Sequence, residues 1–78
     1  MIRNEQERQR IGARIAELRN ARGISQARLA VITGLQRSHI VRIEQGAYGV
    51  TIDVLAAIAE ALGCSVDFVE NKHIVYDP

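Results

Sequence analysis

Proline occurs once, at Pro78, so no helix along the chain is interrupted by a missing amide donor. Cysteine also occurs once, at Cys64. An intramolecular disulfide is therefore excluded, which points to a reducing compartment, and Cys64 reads as a small buried apolar residue rather than a reactive thiol. No apolar run is long enough to span a bilayer, and the start of the chain lacks the apolar core of a signal peptide. A soluble, cytoplasmic protein is expected. One cysteine and two distant histidines, His39 and His73, make no zinc constellation. Nucleophile–base spacings, phosphate loops and paired-carboxylate motifs are also missing. The chain thus reads as a non-enzyme without a cofactor, free of internal repeats and low-complexity stretches.

What is present is a chain of 78 residues, enough for one domain with a modest core. Domains of this size often gain stability by self-association. The formal net charge of +1 conceals a strong division. Residues 1–50 carry nine Arg against Glu5, Glu7, Glu17 and Glu44, a balance of +5. Residues 51–78 carry only Lys72 against Asp53, Glu60, Asp67, Glu70 and Asp77, a balance of −4. Such polarity suits a chain that turns one end toward a polyanion. Arginine, used throughout the first half, favours forked contacts with phosphate or guanine over diffuse attraction.

The glycines punctuate the helical pattern. A polar, Arg/Glu-rich stretch from Asn4 to Arg22 has Ile11, Ile15 and Leu18 on one stripe, a helix with one buried face. Gly12 inside it reads as a tolerated weak point, and Gly23 as the stop. Ser25 is a good N-cap for a short second helix ending near Gly34, with Ile24 and Leu29 as a hydrophobic staple. A third helix runs from about Gln36 to Gly46. Thr51 caps a fourth, with a Val50–Leu55 staple, a stripe of Leu55, Ile58, Ala59 and Leu62, and Gly63 as its stop. Beyond it the pattern is ambiguous. Cys64, Val66 and Phe68 alternate with polar residues, and His73-Ile-Val-Tyr is β-prone, so a strand or hairpin is open. A fifth helical turn capped by Ser65 is open as well.

The segment Ser25 to Gly46, SQARLAVITGLQRSHIVRIEQG, is the most informative. Ala30 lets two short helices approach, Gly34 can take the left-handed turn conformation, and Leu29, Leu35, Ile40 and Ile43 supply the contact. At about 100° per residue, Ile40 and Ile43 define the buried side of the third helix. Ser38, Val41, Arg42 and Gln45 then lie on the opposite side, with Arg37 on its flank and Gln36 at its start.

This segment resembles the helix-turn-helix of the phage-repressor (Cro-like, or xenobiotic-response-element) family. LRNARGISQARLA leads into it, IEQG closes it, and TIDVLAAIAEALG resembles the family's fourth helix, so the likeness spans Ile11 to Gly63. It implies a compact, all-α, four- to five-helix domain that binds double-stranded DNA, usually as a homodimer on a palindromic operator. The domain would cover residues 1–63, and residues 64–78 would form an extension for dimer or partner contact. The expected base-contacting residues are Gln26, Gln36, Arg37, Ser38, Val41 and Arg42. Arginine matches guanine O6/N7, glutamine matches adenine N6/N7, and valine matches a thymine methyl. Ser25, Arg28, Gln45, Tyr48, Thr51 and Arg10 are expected on the DNA backbone.

Two departures bear on this expectation. Arg28 stands where relatives often carry acid, which is sensible if that helix end faces phosphate. Gln36 stands where they often carry a capping Ser or Thr, which suggests a role in contacting DNA instead. Arg10, Arg14, Arg19 and Arg22 read as solvated or paired with Glu, and Glu44 as the structural partner of an Arg in the first helix. The function implied is a sequence-specific transcriptional regulator, a homodimeric repressor without a ligand-sensing domain. Alternatives are an antitoxin that binds a toxin, a restriction–modification controller, or a protein-interaction module without DNA binding.

Overall fold

The computed structural model describes residues 4–47 and 49–71. They form four helices in the order α1 (Glu5–Ala21), α2 (Gln26–Thr33), α3 (Arg37–Glu44) and α4 (Ile52–Ala61), and no strand occurs among them. None of these helices is long and apolar enough to cross a membrane.

The helix starts follow from short polar side chains. Asn4 Oδ1 accepts the Glu7 amide at 3.1 Å, Ser25 Oγ accepts that of Arg28 at 3.0 Å, and Thr51 Oγ1 accepts that of Val54 at 3.2 Å. Each such cap satisfies an otherwise orphaned donor and contributes about 1 kcal/mol. Gln36 occupies the N-cap of α3 but makes no side-chain capping bond. Gly34 ends α2 at φ 76°, a left-handed conformation that lets the chain turn directly into α3.

The core consists of Ile15, Leu29, Ala30, Ile40, Ile43, Ile58 and Leu62, drawn from every helix and the end of α4. Leu29, Ile40 and Ile58 are the largest fully buried side chains, each worth about 1.5–3 kcal/mol in removed apolar surface. Ile24, Leu35, Val50, Val54 and Leu55 pack around them. The residues of both staples expected from the sequence thus lie in or against the core.

α1 keeps its expected stripe, with Ile11 and Leu18 packed against the core beside Ile15, and buries two residues more. Its buried residues are Gly12, Ile15 and Arg19, while Ile11 and Leu18 lie half-buried at the edge. Gly12 is a contact point, not a weak point. A Cβ built there would lie 2.7 Å from the carbonyl oxygen of Glu44 and closer still to that of Ile43. On the other side of the contact, a Cβ on Gly46 would meet Gln9 Cα at 2.7 Å. The backbone of α1 therefore rests on the C-terminal end of α3, a distance only glycine permits.

Beyond α4, residues 64–71 adopt neither the strand nor the fifth helix left open by the sequence, and Ser65 to Glu70 are exposed. An isolated strand has no partner for its amides and carbonyls, so alternation alone does not make one. The β-prone segment at residues 73–76 lies outside the described residues.

Gly12→Ala should lower unfolding stability by about 1–3 kcal/mol, the usual cost of overpacking. In an uncrowded helix the same change would raise it by about 1 kcal/mol. Urea denaturation gives the sign, and an unchanged or raised midpoint would contradict the close crossing.

Candidate nucleic-acid interface

The outer face of α3 follows from its inner one. With Ile40 and Ile43 in the core, Arg37, Ser38, Arg42 and Gln45 are exposed and Val41 is half-buried. These five residues line one shallow concavity of ≈ 360 Å³. Gln36 stands exposed at the start of the same helix, with its side chain uncommitted to capping.

The neighbouring elements add to this face unequally. Arg28 is exposed in the first turn of α2. The Ser25 and Thr51 hydroxyls accept amide hydrogen bonds as caps. Each retains its own O–H as a donor. Gln26 is half-buried, and its Nε2 donates to Glu44 Oε1 at 3.0 Å. Tyr48 lies outside the described residues. Arg10 is not brought to the α3 concavity. Its guanidinium forks onto Glu7 at 2.6 and 2.9 Å, and its side chain lines a groove between α1 and α4. That hydrogen bonding holds the Glu7 carboxyl below its ordinary pKa.

The distribution of ion pairs locates the excess positive charge. Glu5 pairs with Arg8 at 3.8 Å, Glu7 with Arg10, Glu17 with Arg14, and Glu44 with Arg19. All four carboxylates of the first fifty residues are thus taken by arginines of α1. Among the described residues, Arg22, Arg28, Arg37 and Arg42 make no ion pair; Arg22, at the end of α1, instead donates to the Leu18 carbonyl, and the other three stand on α2 and α3.

The Arg19–Glu44 pair differs from the others in being buried, with side chains 11% and 7% exposed. Arg19 Nε donates to Glu44 Oε2 at 2.7 Å and Nη2 to Oε1 at 3.0 Å, while Nη1 reaches the Ile24 carbonyl at 2.8 Å. The hydrogen bonds to Glu44 raise the guanidinium pKa above its ordinary value. Glu44 is the structural partner expected of it, but the burial of Arg19 went unread. The readable signal was spacing, because Arg19 follows Gly12 by seven residues and Ile15 by four, which is one helical face. Arg8 was also missed. Its Nε donates to the Gly46 carbonyl at 3.3 Å, tying α1 to the turn after α3.

A helix-turn-helix family model matches residues 15–69. The chain belongs to the helix-turn-helix family. Over 62 residues, or 80% of its length, it is 38% identical to the HTH-type transcriptional regulator RamB of Mycobacterium tuberculosis. It is 36% identical over the same extent to the immunity repressor protein of Bacillus phage phi105. The matched part spans only 13% of RamB and 43% of the phage protein. Among solved structures it is similar to the restriction-modification controller protein C.AhdI from Aeromonas hydrophila. That match has TM-score 0.73 and 36% identity, covering 76% of this chain and 89% of the controller. The clp gene regulator ClgR from Corynebacterium glutamicum is also similar, with TM-score 0.73, 29% identity and 76% of each chain covered.

Arg19→Met should cost about 3–5 kcal/mol, because it strands a buried carboxylate. Adding Glu44→Leu should recover most of that loss in denaturant unfolding. A double variant no more stable than Arg19→Met would contradict the assignment.

Proposed function

We propose that this chain is a sequence-specific DNA-binding regulator of transcription that inserts α3 into the major groove. One observation carries the reading: the arginines left without acidic partners among the described residues of the helix-turn-helix, Arg28, Arg37 and Arg42, sit on or beside the exposed side of α3 and the start of α2. A polyanion neutralises such a face, and an α-helix fits the major groove.

Gln26, Gln36, Arg37, Ser38, Val41 and Arg42 are the base-reading set. Arg37 forks onto guanine O6/N7, and Val41 meets a thymine methyl. Arg28, Gln45, Tyr48 and the hydroxyls of Ser25 and Thr51 hold phosphates and fix the register. Arg10, engaged by Glu7 on the other side of α1, is left out of this set.

The regulator acts as a homodimer on a palindrome, with the two α3 helices about 34 Å apart in successive major grooves. Supporting this is the apolar groove between α1 and α4, ≈ 480 Å³, whose lining includes Ile11, Leu18, Leu55, Val66 and Val69. Beside it Phe68 and Val69 are 100% and 84% exposed, surface that a second copy would cover. Residues 1–63 form the DNA-binding unit, and the acidic remainder takes part in self-association. The setting is cytoplasmic, where DNA is accessible and Cys64 stays reduced. A restriction–modification controller is favoured as the particular kind of regulator by the likeness to C.AhdI, which extends over 89% of that protein.

Arg37→Ala should weaken binding to the preferred site by about 1–3 kcal/mol and relax base preference at one position. Arg28→Ala should weaken binding to all sequences alike and lower the salt-dependence slope by about 1. Equal loss of base preference in both variants would contradict the division of roles. Sedimentation should find a dimer that Phe68→Asp converts to a monomer. A wild-type monomer at high micromolar concentration, with and without DNA, would refute the dimer.

A further inference from the structure

The Glu44 side chain is only 7% exposed, yet it touches a residue of the reading face. Its Oε2 receives Arg19 Nε, and its Oε1 receives both Arg19 Nη2 and Gln26 Nε2, the last two at 3.0 Å. A carboxylate offers lone pairs and no donor. Gln26 must therefore turn its nitrogen inward. The opposite orientation would set the amide oxygen against Glu44 Oε1, exchanging a charge-assisted hydrogen bond for an acceptor–acceptor contact. That difference favours the inward nitrogen by roughly ten- to a hundredfold.

The consequence lies on the outer edge of the amide. The Gln26 oxygen accepts no hydrogen bond from a described residue. It is also not buried, since no buried side-chain polar atom lacks a partner. The second hydrogen of Nε2 is likewise uncommitted. Gln26 thus carries an oxygen acceptor beside one N–H donor at the start of α2, in an orientation set by the protein before DNA arrives.

We propose that Glu44 is a positioning residue for base recognition, fixing Gln26 in the one amide orientation whose free edge matches adenine and opposes guanine. The inference rests on the DNA-binding reading above and adds to it a base preference and the residue that enforces it. Adenine presents N6–H₂ as donor and N7 as acceptor, the complement of amide oxygen and N–H. Guanine presents O6 and N7, two acceptors, so its O6 faces the fixed amide oxygen. An unfixed amide can turn to relieve that clash; Gln26 cannot without breaking from Glu44. Arg19 completes the arrangement by holding Glu44 through two bonds and anchoring to the Ile24 carbonyl.

The test is a binding-site selection on the full chain, followed by measurement of all four bases at each position of the selected palindrome. The proteins compared are wild type, Gln26→Met, which keeps the Arg19–Glu44 pair, and Glu44→Gln, which lets the amide turn. Wild type should prefer adenine over guanine by at least about tenfold at one base pair. Gln26→Met and Glu44→Gln should each reduce that preference to about twofold or less at the same base pair, with the salt slope unchanged. Because Glu44→Gln disturbs the ion pair, a second measurement uses the DNA-free wild type. One Gln26 side-chain amide proton should exchange slowly with solvent in NMR while its geminal partner exchanges freely. Preferences unchanged in Gln26→Met would overturn the proposal while leaving DNA binding intact. So would a folded Glu44→Gln that keeps the wild-type preference, or two equally fast Gln26 amide protons. Failure to select any palindrome would instead refute the DNA-binding reading beneath it.

Discussion

The contact between α1 and the C-terminal end of α3 is the constraint on which the rest of this molecule depends. Gly12 brings the two backbones together, Gly46 admits α1 from the other side, and the buried Arg19–Glu44 pair spans the same junction. A buried ion pair contributes little net stability against an apolar pair of equal shape. Its value here is orientational. Two parallel hydrogen bonds and an anchor on the Ile24 carbonyl allow α3 one position relative to α1 and α2. A short helix of eight residues has little intrinsic stability, so its orientation must come from what it packs against.

That constraint also sorts the charges. The acidic side chains of the first fifty residues are spent on arginines of α1, one of them inside the core. The cations on α2 and α3 are left to face solvent beside a concavity of mixed polar and apolar character. Scaffold and reading surface share one residue type, arginine, and four of the α1 arginines are neutralised by carboxylates whereas those of α2 and α3 are not. The formal net charge of +1 carries no trace of this arrangement.

Much of the fold was legible because it rests on local rules. The caps Ser25 and Thr51, the left-handed Gly34, and the apolar set from Leu29 to Ile43 are each read from a residue type and a spacing of a few positions. The outward side of α3 followed directly from its inward side. What resisted reading was non-local. Gly12 looks like a defect until the carbonyls of Ile43 and Glu44 lie against it, some thirty residues away in sequence. Arg19 looks solvated until Glu44 and the Ile24 carbonyl surround it. Gln26 is read as a base-contacting residue by type and position, but its tie to Glu44 belongs to the packed state. The alternation after Cys64 resembles a strand, and a strand needs a neighbour that the single chain does not supply among its described residues.

The central claim is that the α3 face reads duplex DNA in sequence-dependent fashion. Selection from a randomised duplex pool, with affinity then followed across salt concentration, tests it most directly. The account predicts enrichment of a two-fold symmetric site with half-sites about one helical turn apart, and affinity for it that falls steeply as salt rises. A pool that yields no common sequence, with affinity flat between low and physiological salt, would contradict it.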